Sequence, residues 1–580
     1  MKKAWINLDL YNCLLVPLSV SIFHFSTYSL SSSLSSLSFK SSQRSHQFVF
    51  LLSAAMHSST VKSEGSISIH SPTRVSSDTS QPFSALQIGL TGSIGMGKST
   101  MDKQFRQLGF SVFDADEEVH NFYSIGGDAV VPIHSLIPDA IVNGAVNRKV
   151  LTEKILKEPE ILQRIESIVH PLVNLKRMKF IEAANERGDF LIVHDIPLLF
   201  ETQQSKKFDY VVVVTADKEL QKRRVLARPG MTIEKFEAIL KKQVPDEEKR
   251  QQADFLIHTD YEGHAAARAQ IAKIIETVIL THPDRWNQWK QRQSDISWMD
   301  SKIHPLRKMF DMFLFDLDDT LVPVLVQLQA AQMALFEFME IHMPNSFLIL
   351  KSSMKQLLIE AKLKNPLLAH DLTALRRLAI LNVAEVYAEE SRVDEAMQVF
   401  LEARSAISDN LYDDVLQCFD WLTSAGVRIG ILTNGNANLS ACPALSKFLS
   451  LVVTAGDVGA SKPSPVPFMA CCQQAGIVPS RILYVGDSYE KDVLGAKNAG
   501  MAALLLLREG PSCVMTDEGV AGHAVEWDSS SSSLPPIDIS QALKERFPAA
   551  DVSTFSLLPE EIMNKLLLWQ QEQQQFSKET

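Results

Sequence analysis

Hydrophobic and polar positions divide this chain into blocks of different period. Through residue 84 the text is serine-rich and carries neither a helical nor a strand period, so no packed element is predicted there. At Ala85 the pattern changes abruptly. Residues 86–90 read as a buried strand, a glycine-rich turn follows, and a helix-like run extends to Leu108. Short apolar runs at 190–193 and 210–214 alternate with charged, helix-prone stretches such as Lys218–Leu226. Strands alternating with helices predict a parallel sheet covered on both faces. This first block ends near Trp289, and the polar stretch that follows, containing Pro305, reads as a linker. A second alternating block opens with the strand Met312–Phe315. A helix-prone insert spans about 325–420, and further strands are predicted at 427–432, 451–453, 482–485 and Ala502–Leu506. The serine run 529–533 reads as a loop, and the Gln-rich end as a polar tail that either forms one amphipathic helix or stays irregular.

The pattern therefore predicts an α/β protein with the following organisation: an extension at 1–84, an α/β domain at 85–290, a linker at 291–309, a second α/β domain at 310–548 with a small helical cap at about 325–420, and a tail at 549–580. A length of 580 residues agrees, because one core rarely serves more than about 250–300 residues. The net charge of −11 argues against a general nucleic-acid binder, which needs a basic surface. The six cysteines, at 13, 418, 442, 471, 472 and 513, include no CxxC pair, so neither a disulfide framework nor a zinc site is expected. Cys471-Cys472 reads as buried helix packing. No apolar run reaches the ~18–20 residues of a membrane span. Lys2 and Lys3 precede an apolar stretch at 14–25, and no acidic residue occurs between Tyr11 and Lys62, the character of a targeting segment. A plain extension, or translation from Met56, is the alternative. The expected location is the cytoplasm, or a mitochondrion or plastid if the extension is a targeting segment.

The turn after the first strand carries the chemistry of that block. Gly92-Ser93-Ile94-Gly95-Met96-Gly97-Lys98-Ser99 matches GxxxxGK[ST] between a strand and a helix, the context the motif requires. Glycines let backbone N–H groups turn inward around phosphates, and the helix N-terminus adds a favourable dipole. Lys98 is placed to bridge the β and γ phosphates of a nucleotide, and Ser99 to ligate Mg²⁺, although ATPases, GTPases and small-molecule kinases all share such a loop. Asp114 and Asp116 follow the next strand at the sheet edge where open α/β folds hold ligands. A helix N-cap accounts for one of them. The other can accept a proton from an attacking hydroxyl.

These strings resemble the dephospho-CoA kinase family: the loop from Thr91 through Thr100, Asp114-Ala115-Asp116, Gly126-Gly127, Asn147-Arg148, His170-Pro171, the string Asp195-Ile196-Pro197-Leu198-Leu199-Phe200-Glu201, then Gln221, Arg224 and Arg228, and finally Gln243 and Ala253-Asp254. The resemblance covers about 86–280. It implies a P-loop NTPase-type fold and transfer of the ATP γ-phosphoryl to the ribose 3′-hydroxyl of dephospho-CoA. It also implies Asp116 as base, Arg224 and Arg228 as lid residues, His170 near the substrate, and Asp195 orienting Mg²⁺ or water unless it caps a loop. Arg224 and Arg228, four apart, are expected on one helix face. Met96 stands where the family has a small residue, with little effect expected. The stretch 257–260 lacks the family's Asn after the last strand. Another small-molecule P-loop kinase is the alternative, although such kinases lack the string from Asp195 to Glu201.

In the second block Asp316-Leu317-Asp318-Asp319-Thr320 closes the strand Met312–Phe315. Two carboxylates two residues apart allow Asp316 to attack phosphorus and Asp318 to serve as acid, then base. Thr433 is placed to hold a phosphate oxygen and Lys462 to supply positive charge. Asp487 and Asp492, with Asp316 and Asp318, form a candidate Mg²⁺ site. Together these resemble the four motifs of the haloacid dehalogenase superfamily, over about 310–545, and imply a Rossmann-like hydrolase domain with a helical cap. Asp318, Asp487 and Asp492 favour phosphomonoester hydrolysis over dehalogenation, which needs neither acid nor metal. The expected partners are small molecules: ATP, dephospho-CoA and a phosphorylated metabolite that the cap does not name, with damaged or surplus phosphopantetheine species as one option. A non-catalytic scaffold is the remaining alternative, and the chemically competent residues at both sites speak against it.

Overall fold

The computed structural model describes residues 84–158, 160–261, 263–291, 304–407, 410–508, 552–554 and 556–579. The expected targeting segment, the serine run 529–533, Cys13 and Cys513 lie outside the described residues.

The first domain is built on β1 (Leu86–Thr91), β2 (Ser111–Asp114), a small hairpin of β3 (Ile141–Val142) and β4 (Ala145–Val146), then β5 (Leu191–Asp195), β6 (Tyr210–Thr215) and β7 (Phe255–His258). Its main helices are α1 (Lys98–Gln107), α2 (Ala115–Tyr123), α3 (Glu160–Arg187), α4 (Lys218–Leu226) and α5 (Ala265–Thr281). The main sheet runs β2-β5-β1-β6-β7, all parallel. Its central strands are apolar on both faces because helices cover both, and β6 is buried at every position. The register sets Asp195 opposite both Leu90 and Asp114, which brings the ends of β1, β2 and β5 to one edge.

The second domain contains β8 (Met312–Phe315), β9 (Arg428–Thr433), β10 (Leu449–Thr454), β11 (Ile482–Gly486), β12 (Ala502–Leu506) and β13 (Val552–Thr554), in the parallel order β10-β9-β8-β11-β12-β13. Between β8 and β9 stand α6 (Val324–His342), α7 (Pro344–Lys364), α8 (Leu372–Ala384) and α9 (Val393–Ser405), which share a core of their own. This cap is shorter than the expected 325–420. The next helix, Val415–Ser424, buries Cys418, Phe419 and Leu422 against the sheet rather than in the cap. By length and composition α6 is apolar enough to cross a membrane, against the expectation that no stretch is, and among the described residues it is the one such helix. Its Ala331, Leu335 and Met339 are buried in the cap core.

Two further expectations are corrected. Residues 305–309 do not link loosely: they form a short helix that buries Leu306 and Met309 in the core of the second domain. Beyond 548 the chain is not a separate tail, because β13 extends the sheet beside β12 and α10 (Pro559–Glu579) buries Ile562 and Leu566 there. Of the two forms expected for the Gln-rich end it is the amphipathic helix that is present, and its sparse apolar positions make one buried stripe.

The two domains share one continuous hydrophobic core. Helix α5 lies against the short helix Ala455–Val458 and against Pro465–Ala475 of the second domain, where Cys471 and Cys472 are buried as free thiols. Ser464 Oγ donates to Glu276 Oε1 at 2.6 Å, and Gln474 Nε2 donates to the Gln107 carbonyl at 2.9 Å. Gly459, at φ 82°, permits the closest approach: a Cβ there would stand 2.3 Å from the carbonyl carbon of Arg268. Gly459→Val is therefore expected to cost roughly 2–4 kcal/mol, from left-handed strain plus overpacking. A lowered thermal midpoint checks this, and an unchanged one would show that the contact yields freely.

Two candidate active sites

Around the first phosphate loop, Gly95 and Gly97 adopt positive φ (81° and 94°), and a Cβ on Gly92 would stand 2.6 Å from the Val214 carbonyl oxygen. The loop is braced from outside. Gln221 Nε2 donates to the Ile94 carbonyl at 2.7 Å, the Ile94 amide donates to Gln243 Oε1 at 3.2 Å, and Thr259 Oγ1 donates to the Met96 carbonyl at 2.8 Å. Met96 is buried, and its sulfur accepts the Ala216 amide at 3.1 Å. Its larger side chain therefore packs beneath the loop, away from the inner face. Thr259, in the stretch without the family's Asn, carries one of the braces.

Lys98 stands at the start of α1 and donates to Asp195 Oδ1 at the end of β5. Asp195 is buried, and burial raises its pKa to about 6 even though Lys98 pulls it down. Asp114 is the N-cap of α2, accepting the amides of Asp116 and Glu117 at 2.8 and 3.1 Å. Asp116 has no such task. Its Oδ1 is buried without a hydrogen-bond partner, and burial lifts its pKa to about 7, with Lys98 and Arg148 opposing and Asp114 and Asp195 reinforcing the shift. An unpartnered carboxylate beside a lysine at a strand edge is a poised base. Ser99 is exposed one residue beyond Lys98, and Thr100 continues α1.

The arginines expected on one helix face are arranged differently. Helix α4 ends at Leu226, so Arg228 lies beyond it and shares no helix face with Arg224. Arg224 itself is held on Thr259, donating to Oγ1 at 2.8 Å and to the carbonyl at 2.7 Å. His170 is exposed on α3, and no hydrogen bond or ion pair among the described residues joins it to Lys98, Asp116 or Asp195. Glu201 is structural: it pairs with the fully buried Lys249 at 2.9 Å and accepts the Val244 amide at 2.9 Å.

The second site gathers the ends of β8, β9 and β11. Lys462 Nζ lies 2.8 Å from Asp316 Oδ1 and 2.6 Å from Asp492 Oδ1, and donates to the Tyr484 hydroxyl at 2.7 Å. Burial pulls the Lys462 ammonium down, but Asp316 and Asp492 overcome it and hold it above the ordinary lysine value. Burial raises the pKa of Asp316, with Lys462 opposing and Asp492, Asp487 and Asp318 reinforcing. Asp487 is lifted to about 7 by burial and by Asp492 and Asp319. Oxygens of Asp316, Asp487 and Asp492 lie within 4.8 Å of one another. Three carboxylates facing a single ammonium make a hard-oxygen set with surplus negative charge, which fits a cation such as Mg²⁺. Asp318 is outside this group, contrary to its expected place among the ligands, because Arg404 on α9 engages its Oδ1. Thr433 Oγ1 accepts the Gly435 amide at 2.8 Å. Asn434 clasps the Lys462 backbone, accepting its N–H at 2.8 Å and donating to its carbonyl at 3.2 Å.

A dephospho-CoA kinase family model matches residues 86–264. The dephospho-CoA kinase of Rhizobium meliloti (strain 1021) is 47% identical over 189 residues, 33% of this chain and 96% of that protein. The chain belongs to the dephospho-CoA kinase family. The same enzyme from Mesorhizobium japonicum is 50% identical over 189 residues, 33% of this chain and 94% of that protein. Outside the kinase region, a haloacid dehalogenase-like hydrolase family model matches residues 310–500. Among solved structures, a 2-haloacid dehalogenase from Pseudomonas syringae pv. Tomato DC3000 is similar at 24% identity with a TM-score of 0.35, covering 45% of this chain and all of that one.

The dephospho-CoA kinase region thus carries a second, hydrolase-like domain whose site holds residues the motifs did not announce. Arg404 comes from the end of the cap, 86 positions from Asp318, and no local pattern marks it. Tyr484 was legible only as a strand position, yet its hydroxyl touches Lys462 and Asp492. Thr320, which donates to Asp487 Oδ1 at 3.2 Å, was readable as the last letter of DxDxT.

Proposed function

We propose that the first domain transfers the γ-phosphoryl group of ATP to the ribose 3′-hydroxyl of dephospho-CoA, and that the second hydrolyses a phosphomonoester through an aspartyl phosphate. The observation that carries the kinase reading is the unpartnered Asp116 carboxylate beside Lys98, in a chain that covers nearly the whole length of kinases of this specificity. Asp116 takes the proton of the attacking hydroxyl. Lys98, released from Asp195 by the stronger negative charge of the nucleotide, follows the phosphoryl group as charge develops on it. The loop amides cradle the remaining phosphates, and their bracing by Gln221, Gln243 and Thr259 lets them do so without reorganising. Arg148, placed over the Tyr123 ring 5.4 Å from its centroid, adds positive charge beside Asp116.

In the second domain Asp316 is the nucleophile, Asp318 the acid and then the base, and Lys462 and Thr433 hold the phosphoryl oxygens. Mg²⁺ on Asp316, Asp487 and Asp492, and on Ser99 in the first domain, would neutralise phosphate charge when bound. The carboxylate cluster and the aspartate at position 318 support ester hydrolysis over dehalogenation, which uses neither. The cap, with its separate core, is the element that would close over a substrate.

The test uses the full chain, because the two domains share a core. ATP, Mg²⁺ and dephospho-CoA are supplied, and ADP and CoA are measured. Lys98→Ala is expected to lower CoA formation by roughly 10²–10⁴-fold. Equal rates in the variant, or no CoA from the ATP-binding parent, would overturn the assignment of acceptor.

A further inference from the structure

A cavity of about 390 Å³ lies where four parts of the chain meet: Arg268 on α5 of the kinase domain, the stretch 370–373 where α8 of the cap begins, the loop 434–440 after β9, and the stretch 452–457 at the end of β10. It is separate from the carboxylate cluster but adjoins the second active site. Asn434 and Gly435 line it, and Gly435 packs directly on Asp318, where a Cβ would stand 2.6 Å from Oδ2. The cavity therefore begins one glycine away from the carboxyl group that would protonate a leaving oxygen.

Two of the residues that line it each carry a buried polar atom without a hydrogen-bond partner: Nε2 of His370, a residue only 7% exposed, and Nε of Arg268. Each orphan of this kind costs about 1–3 kcal/mol, so most buried polar groups find a partner. Of the two, Arg268 Nε is a donor that lacks an acceptor, and Nε2 of the neutral His370 is donor or acceptor according to its tautomer. The nearby carboxylates do not meet that need. Asp371 Oδ1 accepts the Ala374 amide at 2.9 Å, Asp457 Oδ2 closes a capping box with Thr454, and among the described residues neither forms an ion pair with Arg268. His370 is kept neutral, its pKa pushed down to about 4 by burial and by Arg268 against the pull of Asp371. Arg268 is the one Lys or Arg among the residues that line the cavity, which Asp371 and Asp457 line as well without pairing with it. Its position is fixed by the backbone contact with Gly459, and the loop is tied to the cap where Asn436 Nδ2 donates to Thr373 Oγ1 at 2.9 Å.

We propose that this cavity is the leaving-group subsite of the hydrolase domain, and that Arg268, contributed by the kinase domain, selects phosphomonoesters whose alcohol portion carries a second anionic group. The proposal rests on the phosphomonoesterase reading of the second site. In the reaction an Asp316 oxygen attacks phosphorus, the bond from phosphorus to the ester oxygen breaks, and the Asp318 proton passes to that oxygen. Water then cleaves the aspartyl phosphate as Asp318 takes its proton back. Throughout, the departing alcohol is held by its second anion on Arg268. A carboxylate and a second phosphate share this chemistry, and the hydrolase depends on the kinase domain for its choice of substrate.

The test measures kcat and KM of the full chain on matched pairs: 3-phosphoglycerate against glycerol 3-phosphate for a carboxylate, and propane-1,3-diyl bisphosphate against 3-hydroxypropyl phosphate for a second phosphate. p-Nitrophenyl phosphate serves as a probe of the chemistry alone. The parent is expected to prefer the anionic member of at least one pair by about tenfold or more in kcat/KM, the scale of one charge-assisted hydrogen bond. Arg268→Gln should erase that preference chiefly through KM, and Arg268→Lys should restore most of it, which a purely structural role would not produce. The pair that responds identifies the anion. Turnover of p-nitrophenyl phosphate without preference in either pair, or a preference that survives Arg268→Gln, overturns the proposal and leaves the hydrolase standing. No turnover of any phosphomonoester by the parent overturns the hydrolase reading and the proposal with it.

Discussion

Asp316→Asn is expected to lower phosphomonoester hydrolysis by roughly 10⁴-fold or more, while ATP-dependent CoA formation in the same preparation continues at the parent rate. An amide of the same shape keeps the packing at the end of β8 but cannot attack phosphorus. Its effect on stability runs the other way. Burial raises the Asp316 carboxyl above its unfolded value, with Asp492 and Asp487 reinforcing it against Lys462. The native state then holds a proton that the unfolded chain has lost, so stability falls as pH rises above the usual carboxylate range. In chelator-treated protein at neutral pH the variant should therefore melt at a higher temperature than the parent. A variant that hydrolyses p-nitrophenyl phosphate at the parent rate would remove Asp316 from the chemistry.

Asp116→Asn should have the matching effect on the kinase reaction, a loss of about 10²–10⁴-fold in CoA formation, the range of a positioned general base. Its pH signature is distinctive. With a carboxyl lifted to about 7 by burial, kcat/KM for dephospho-CoA should rise with unit slope as pH approaches 7 and then level, where an ordinary aspartate would leave it flat above pH 5. For stability, the folded pKa is raised above the unfolded one, so the contribution of Asp116 declines as pH climbs between about 4 and 7, and the cost remains above that window. The Asn variant should thus be inactive yet more stable at pH 8. A rate limb near pH 4, or an active variant, would assign the proton transfer elsewhere.

Short motifs were legible because each places chemistry within a few residues. GxxxxGKS between a strand and a helix marks a phosphate loop, and DxDxT after a strand reads as a nucleophile with a neighbouring acid once Thr433, Lys462 and Asp487 follow in order. The strands themselves were readable because parallel sheets bury both faces, which leaves continuous apolar runs: Tyr210–Thr215 has no exposed position. The N-cap argument over Asp114 and Asp116 also divided correctly, with Asp114 capping α2 and Asp116 free of that duty. The reading failed where the deciding contact joins distant residues. Arg224 and Arg228 looked like one helix face until the chain left α4 at Leu226, and the stretch beyond 548 looked like a tail until β12 offered an edge to Val552–Thr554.

By itself, then, the sequence determined two α/β domains and, by local spacing, the phosphate loop with Lys98 and the DxDxT step at Asp316, while the resemblance to known families pointed to Asp116, Thr433, Lys462, Asp487 and Asp492. Only the tertiary structure decided that Arg404 meets Asp318, that Tyr484 joins Lys462 to Asp492, and that α5 of the kinase domain docks through Gly459 and turns Arg268 toward the hydrolase cavity. The physical reason is that these contacts depend on how whole elements pack, and packing is fixed by the complementary shape of surfaces far apart in the chain, which leaves no periodic or local trace in the text.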